Sequence, residues 1–177
     1  METVRPTHLL HFAWYAIPGK YWNAFENFRW VEASHFLLKL FANQGGHRVV
    51  MAGTCAEYDW RYGCCSEQTT PLDPTSVYGR CKHSLQTLLL AWSKQTGLSS
   101  AWGRIFFLYG PYEHKDRLAS SVICSLMNGK TITCLNGTHV RDFLHVQDAA
   151  SSFVALLDSD LQGPVNIASG FPITLRE

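Results

Sequence analysis

Two periods of apolar residues alternate along this chain, and that alternation constrains its fold more than any other feature. Short continuous apolar runs read as strands covered on both faces, whereas apolar residues three and four apart read as one face of a helix. Residues 8–13, 48–52 and 101–108 are runs of the first kind. Segments at about 22–42 and 77–95 are of the second kind. In the first, Phe36, Leu37, Leu40 and Phe41 mark the expected buried face, and in the second, Leu85, Leu88, Leu89 and Trp92 do. Gly45-Gly46 and Gly97 supply their stops. Further helices are expected at 117–127 and 148–157, and short strands at 131–135, 142–146 and 165–168. Strand and helix in alternation predict an α/β fold with a parallel sheet wound by helices on both faces.

With 46% hydrophobic and 16% charged residues the chain is fit to bury a core, and its 177 residues suggest one domain. A net charge of +1 without a basic cluster argues against nucleic-acid and acidic-membrane partners. No apolar run approaches the roughly 20 residues that span a bilayer. Six cysteines in no C-x-x-C spacing read as reduced cytoplasmic thiols, and eight histidines without H-E-x-x-H give no expectation of a metal.

The chemistry concentrates at Tyr78-Gly79-Arg80-Cys81-Lys82. Tyr-x-x-x-Lys places a phenol and an ammonium on one face of a helical turn. A cation beside a phenol favours the phenolate, so such a pair can trade a proton with an alcohol or ketone. The spacing alone is common, and by itself is better explained by an ordinary, partly exposed helix pair. Position adds to it: Thr54 and Tyr109-Gly110-Pro111 fall at the carboxyl ends of expected strands, where parallel α/β sheets bind ligands.

Five ordered segments then resemble the NAD(P)-dependent epimerase/dehydratase family of extended short-chain dehydrogenase/reductases. They run from Val50 to Tyr58, Pro74 to Lys82, Arg104 to Pro111, Arg141 to Asp148 and Val165 to Gly170. The resemblance implies a partial Rossmann-like portion at about 1–112, and about 113–177 mixed with the start of a small substrate subdomain. It implies Thr54, Tyr78 and Lys82 as the catalytic triad, with Lys82 keeping the Tyr78 pKa low. It implies NAD or NADP held through Tyr78, Lys82, Tyr109, Gly110 and Pro111, and a nucleotide-sugar substrate met by Glu57 and Arg141. A homodimer through the helices at 22–42 and 77–95 is also implied.

Departures from the family pattern shape the expectation. The thirteen glycines form no G-x-G-x-x-G or G-x-x-G-x-x-G, so the chain reads as a central fragment lacking the pyrophosphate cradle, inactive alone. The rival reading is a non-catalytic binding or dimerising module. The family's helix Asn is Trp30 here, so its structural hydrogen bond is expected to be either lost or moved to Asn27. Dehydratases of the group carry Asp-Glu directly after the threonine; here Cys55 and Ala56 follow, leaving epimerase or ketoreductase.

Overall fold

The structure, a computed structural model, describes residues 4–133 and 136–176. In chain order its elements are β1 (His8–His11), α1 (Glu26–Asn43), β2 (Arg48–Thr54), α2 (Val77–Thr96), β3 (Ser99–Ile105), β4 (Phe107–Tyr109), α3 (Leu118–Met127), β5 (Val140–His145), α4 (Val146–Leu157), β6 (Gly163–Ile167) and β7 (Pro172–Thr174). They form two compact units, residues up to Arg104 with 153–166, and 105–152 with 167 onward.

The first unit carries a parallel sheet in the order β1-β2-β3-β6. Its register sets His8 opposite Arg48 and His11 opposite Met51. Every residue of β2 is buried, as a central strand covered on both faces requires. Leu38 and Phe41 of α1 and Leu85 and Leu89 of α2 meet Val49 and Met51 of β2 and Trp102 of β3 in one apolar cluster. Gly53 makes this packing feasible, because a Cβ there would lie 2.1 Å from the indole nitrogen of Trp102. Ser76 caps α2 by accepting from the Gly79 amide at 3.0 Å. Gly97 ends the helix in the left-handed conformation at φ 75°.

The second unit holds a three-stranded sheet in the order β4-β5-β7, parallel between β4 and β5 and antiparallel between β5 and β7.

Several elements depart from expectation. Residues 101–108 are two strands, because the chain leaves the first sheet at Phe106, whose amide donates to the Ile167 carbonyl at 3.1 Å. The first long helix starts at Glu26, and Tyr21–Asn23 before it form a separate 3-10 turn. Residues 131–133 are not a strand, and 134–135 lie outside the described residues. The buried face of α1 is rotated from the expected one. Leu38 and Phe41 point inward, while Phe36 is 63% and Leu40 37% exposed. Leu88 on α2 is likewise 42% exposed. Each helix carries more apolar residues than one contact face accommodates, so the register of the sheet chose which to bury.

Candidate active site

Thr54 ends β2 and begins a 3-10 turn, Cys55–Glu57. Its hydroxyl accepts from the Ala56 amide at 3.2 Å, and Glu57 reaches back to accept from the Thr54 amide at 2.9 Å. This reciprocal cap fixes the threonine where the strand stops. Across from it, the first turn of α2 presents Tyr78, whose phenol lies near enough to the Thr54 side chain for that group to pull its pKa down. Gly79 allows that close approach; a Cβ there would come within 2.5 Å of the Ala56 carbonyl oxygen. One turn later, buried Lys82 donates from Nζ to the Ala52 carbonyl at 3.0 Å. Strand end and helix start therefore bring Thr54, Tyr78 and Lys82 together.

The electrostatics differ from those the resemblance implies. Burial raises the Tyr78 pKa above the ordinary phenol value; the Thr54 side chain opposes this, while Tyr21, Cys55 and Glu57 add to it. Lys82 does not bring it down. Its ammonium is aimed at Ala52 and at the Trp14 ring, 3.8 Å away. Burial also lowers the Lys82 pKa to about 7, against an upward pull from Glu57, so its charge is itself partial near neutrality.

Glu57 is not on an open substrate surface. It is 0% exposed, and its two oxygens accept from the Trp102 indole at 3.0 and 3.2 Å. Arg104 Nε donates to it at 2.8 Å, forming a fully buried ion pair. Arg104 also donates to the Tyr58 hydroxyl at 2.9 Å and to Gln86 Oε1 at 2.9 Å. Tyr58 in turn donates to Asn166 Oδ1 at 2.8 Å. The carboxylate thus joins the Thr54 backbone to a satisfied interior network. The Thr-x-x-Glu spacing at Thr54 and Glu57 was the available signal for this cap.

Aromatic rings surround Tyr78. Tyr21, Trp22 and Trp14 meet it edge-on, with centroids 4.9, 5.8 and 6.5 Å away. Nothing in the chain's periodicity signals this wall, since those rings come from an irregular connection between β1 and α1. Asn27 is fully buried; it accepts from the Trp14 indole at 2.8 Å and donates to the Tyr21 and Ala24 carbonyls at 2.7 and 2.9 Å.

The remaining expected residues belong to the second unit. Tyr109 closes β4 with its ring 5.3 Å from that of His145. It lines a cavity of about 560 Å³ with Leu118, Val122, Phe143, Phe171 and Ile173. Gly110 adopts φ 143°, and a Cβ on it would lie 2.7 Å from Val146. Pro111 is exposed. Arg141 on β5 lays its guanidinium 4.9 Å from the Phe107 ring centroid, and its Nη1 donates to the Val140 carbonyl at 2.7 Å. Asp142 beside it is engaged elsewhere, accepting from the Ser169 amide and hydroxyl and from the Gly170 amide at 2.7–2.8 Å. Among the described residues no group of three or more His, Cys, Asp or Glu is placed to hold a metal ion.

A parallel sheet whose strand end delivers a threonine to a tyrosine, one turn ahead of a buried lysine, defines the short-chain dehydrogenase/reductase class. The profile of the NAD dependent epimerase/dehydratase family matches residues 1–168, and the chain belongs to that family. It is 30% identical to UDP-glucuronic acid decarboxylase 1 of Xenopus tropicalis over 136 residues, 72% of this chain and 32% of that protein. It is 29% identical to dTDP-glucose 4,6-dehydratase of Mycobacterium tuberculosis over 92 residues, 51% of this chain and 28% of that protein. Among solved structures, UDP-N-acetylglucosamine 4-epimerase from Bacillus cereus superimposes with TM-score 0.84 at 23% identity, over 94% of this chain and 57% of that one. dTDP-glucose 4,6-dehydratase from Bacillus anthracis, in complex with NAD, gives 0.79 at 26% identity, over 96% and 54%. The chain spans about a third of the length of these curated relatives and just over half of the solved chains.

Proposed function

We propose that this chain carries the catalytic segment of an NAD(P)-dependent enzyme that epimerises or reduces a nucleotide-linked sugar. The convergence of Thr54, Tyr78 and Lys82 at the end of β2 supports this reading. Tyr78 would exchange the proton of a sugar hydroxyl or ketone, and Thr54 would hydrogen-bond the same oxygen. Lys82 fits the nicotinamide ribose, because a buried ammonium with Ala52 O as its hydrogen-bond acceptor keeps N–H donors for ribose hydroxyls. The cofactor, when bound, supplies hydride exchange. Tyr109, Gly110 and Pro111 are proposed to border the cofactor, and Arg141 to meet the substrate diphosphate, which suits its forked guanidinium.

Glu57 is proposed as the residue that positions Thr54 rather than as a substrate contact. Its engagement with Arg104 also disfavours water elimination, which needs an acid to protonate the leaving hydroxyl: Cys55 and Ala56 bear none. The exposed apolar residues on α1 and α2 support a second copy of the chain as a partner. Among the described residues no helix is long and apolar enough to cross a membrane. Among the described residues five cysteines are free, which supports a cytoplasmic setting.

The test joins this chain to the segments of a relative that the match does not span and compares wild type with Tyr78→Phe. We expect turnover to fall by about a hundredfold or more with circular dichroism unchanged. Retained turnover would assign the proton transfer to another group.

A further inference from the structure

We infer that Trp14 is the positioning residue of Lys82: its indole face, set by Asn27, seats the ammonium and favours its charged form. This rests on the proposed role of Lys82 in the active site.

A lysine amine taken out of water needs other partners for its charge. Lys82 is 3% exposed, and its hydrogen bond goes to a backbone carbonyl, Ala52 O, at 3.0 Å. The titratable groups around it supply little. From β1, His11 is kept neutral by burial and by Lys82 itself, and its Nε2 lies 3.3 Å from the Ser34 hydroxyl. From the turn after β2, Glu57 attracts the ammonium, but its oxygens are committed to Arg104, Trp102 and the Thr54 amide. From α2 itself, Tyr78 is held in its neutral form by burial. None of the ion pairs among the described residues includes Lys82.

The Trp14 ring meets the remaining need. Its centroid is 3.8 Å from Nζ, well inside the roughly 6 Å over which the negative face of an indole attracts a cation. The ring's orientation is not left to packing. Its N–H donates at 2.8 Å to Asn27 Oδ1, and the Asn27 amide is pinned by two backbone carbonyls in a site with 0% exposure. The same indole meets the Tyr78 ring edge-on, so one side chain borders both Tyr78 and Lys82. Because the Lys82 pKa lies at about 7, a modest change in this contact decides whether the group is mostly ammonium or mostly amine at neutral pH.

The experiment follows the ¹³Cε signal of Lys82 against pH in the lysine-labelled chain, assigned by its loss in Lys82→Met. Trp14→Phe keeps an aromatic face and should leave the titration midpoint within a few tenths of wild type. Trp14→Leu should lower it by about one unit, a roughly tenfold smaller ammonium-to-amine ratio. An unchanged midpoint in Trp14→Leu, or an equal fall in both variants, would overturn the inference. Should Trp14→Leu not fold, fluorinated tryptophans of unchanged ring shape replace it: the midpoint must step down as fluorines are added, and a flat series overturns the inference. The titration needs no turnover, so it can fail or succeed independently of the Tyr78→Phe assay.

Discussion

At the residue scale, a buried ion pair and a buried lysine in the first unit are stabilised in opposite ways. Arg104 and Glu57 neutralise each other with every strong donor and acceptor engaged. Arg104→Met would leave a carboxylate buried without its counter-charge, so we expect a loss of about 3–5 kcal/mol in urea unfolding. A loss below about 1 kcal/mol would mean that the carboxylate finds water or a proton. Lys82 has no such counter-charge against it. Its pKa is lowered to about 7, whereas a lysine in the unfolded chain titrates near ~10.4. Between those values the unfolded state binds the extra proton, so stability rises with pH across that window. Lys82→Met removes the linkage. Its advantage over wild type should be several kcal/mol at pH 7 and should shrink toward pH 10. An equal gap in urea melts at both pH values would count against a buried, depressed lysine.

At the element scale, α1 and α2 each satisfy the sheet with one stripe and leave a second apolar stripe outward. Leu38, Phe41, Leu85 and Leu89 are buried, while Phe36, Leu40 and Leu88 stay exposed. Both sets obey the same spacing, so helical periodicity identifies the helices without telling the two stripes apart. If a second copy covers the outer stripe, Phe36→Glu should raise the dimer dissociation constant by about tenfold or more in sedimentation velocity, since burying a phenylalanine contributes roughly 1.5–3 kcal/mol. A chain that sediments as a monomer at high concentration would remove that proposal. The end of α2 was more legible than its face: Gly97 signals a stop through backbone chemistry that tertiary context does not change.

At the scale of the whole molecule, the 177 residues bring Thr54, Tyr78 and Lys82 to one corner and contain no G-x-G-x-x-G or G-x-x-G-x-x-G turn of the kind that cradles a pyrophosphate. The chain by itself should therefore bind NAD⁺, NADH, NADP⁺ and NADPH weakly, and calorimetric titration checks this. Micromolar affinity for any of them would reveal a phosphate site built from other residues. The alternation of periods, the helix signals and the Tyr78-x-x-x-Lys82 spacing were all written in the sequence, because each depends on neighbours a few positions apart, whereas Thr54 joined that pair only through the family resemblance. What the tertiary structure alone decided depends on residues far apart along the chain. The break at Phe106 comes from a bond to Ile167, and β7 is too short to show a period and exists by pairing with β5. Glu57 turned from a substrate candidate into an internal anchor because β3 sets Trp102 and Arg104 against it. Trp14 reached Lys82 because β1 and β2 lie in parallel register, with Asn27 orienting the indole at their shared edge. Local spacing pairs Tyr78 with Lys82, but their ionisation is set by burial and by contacts that only the folded chain assembles.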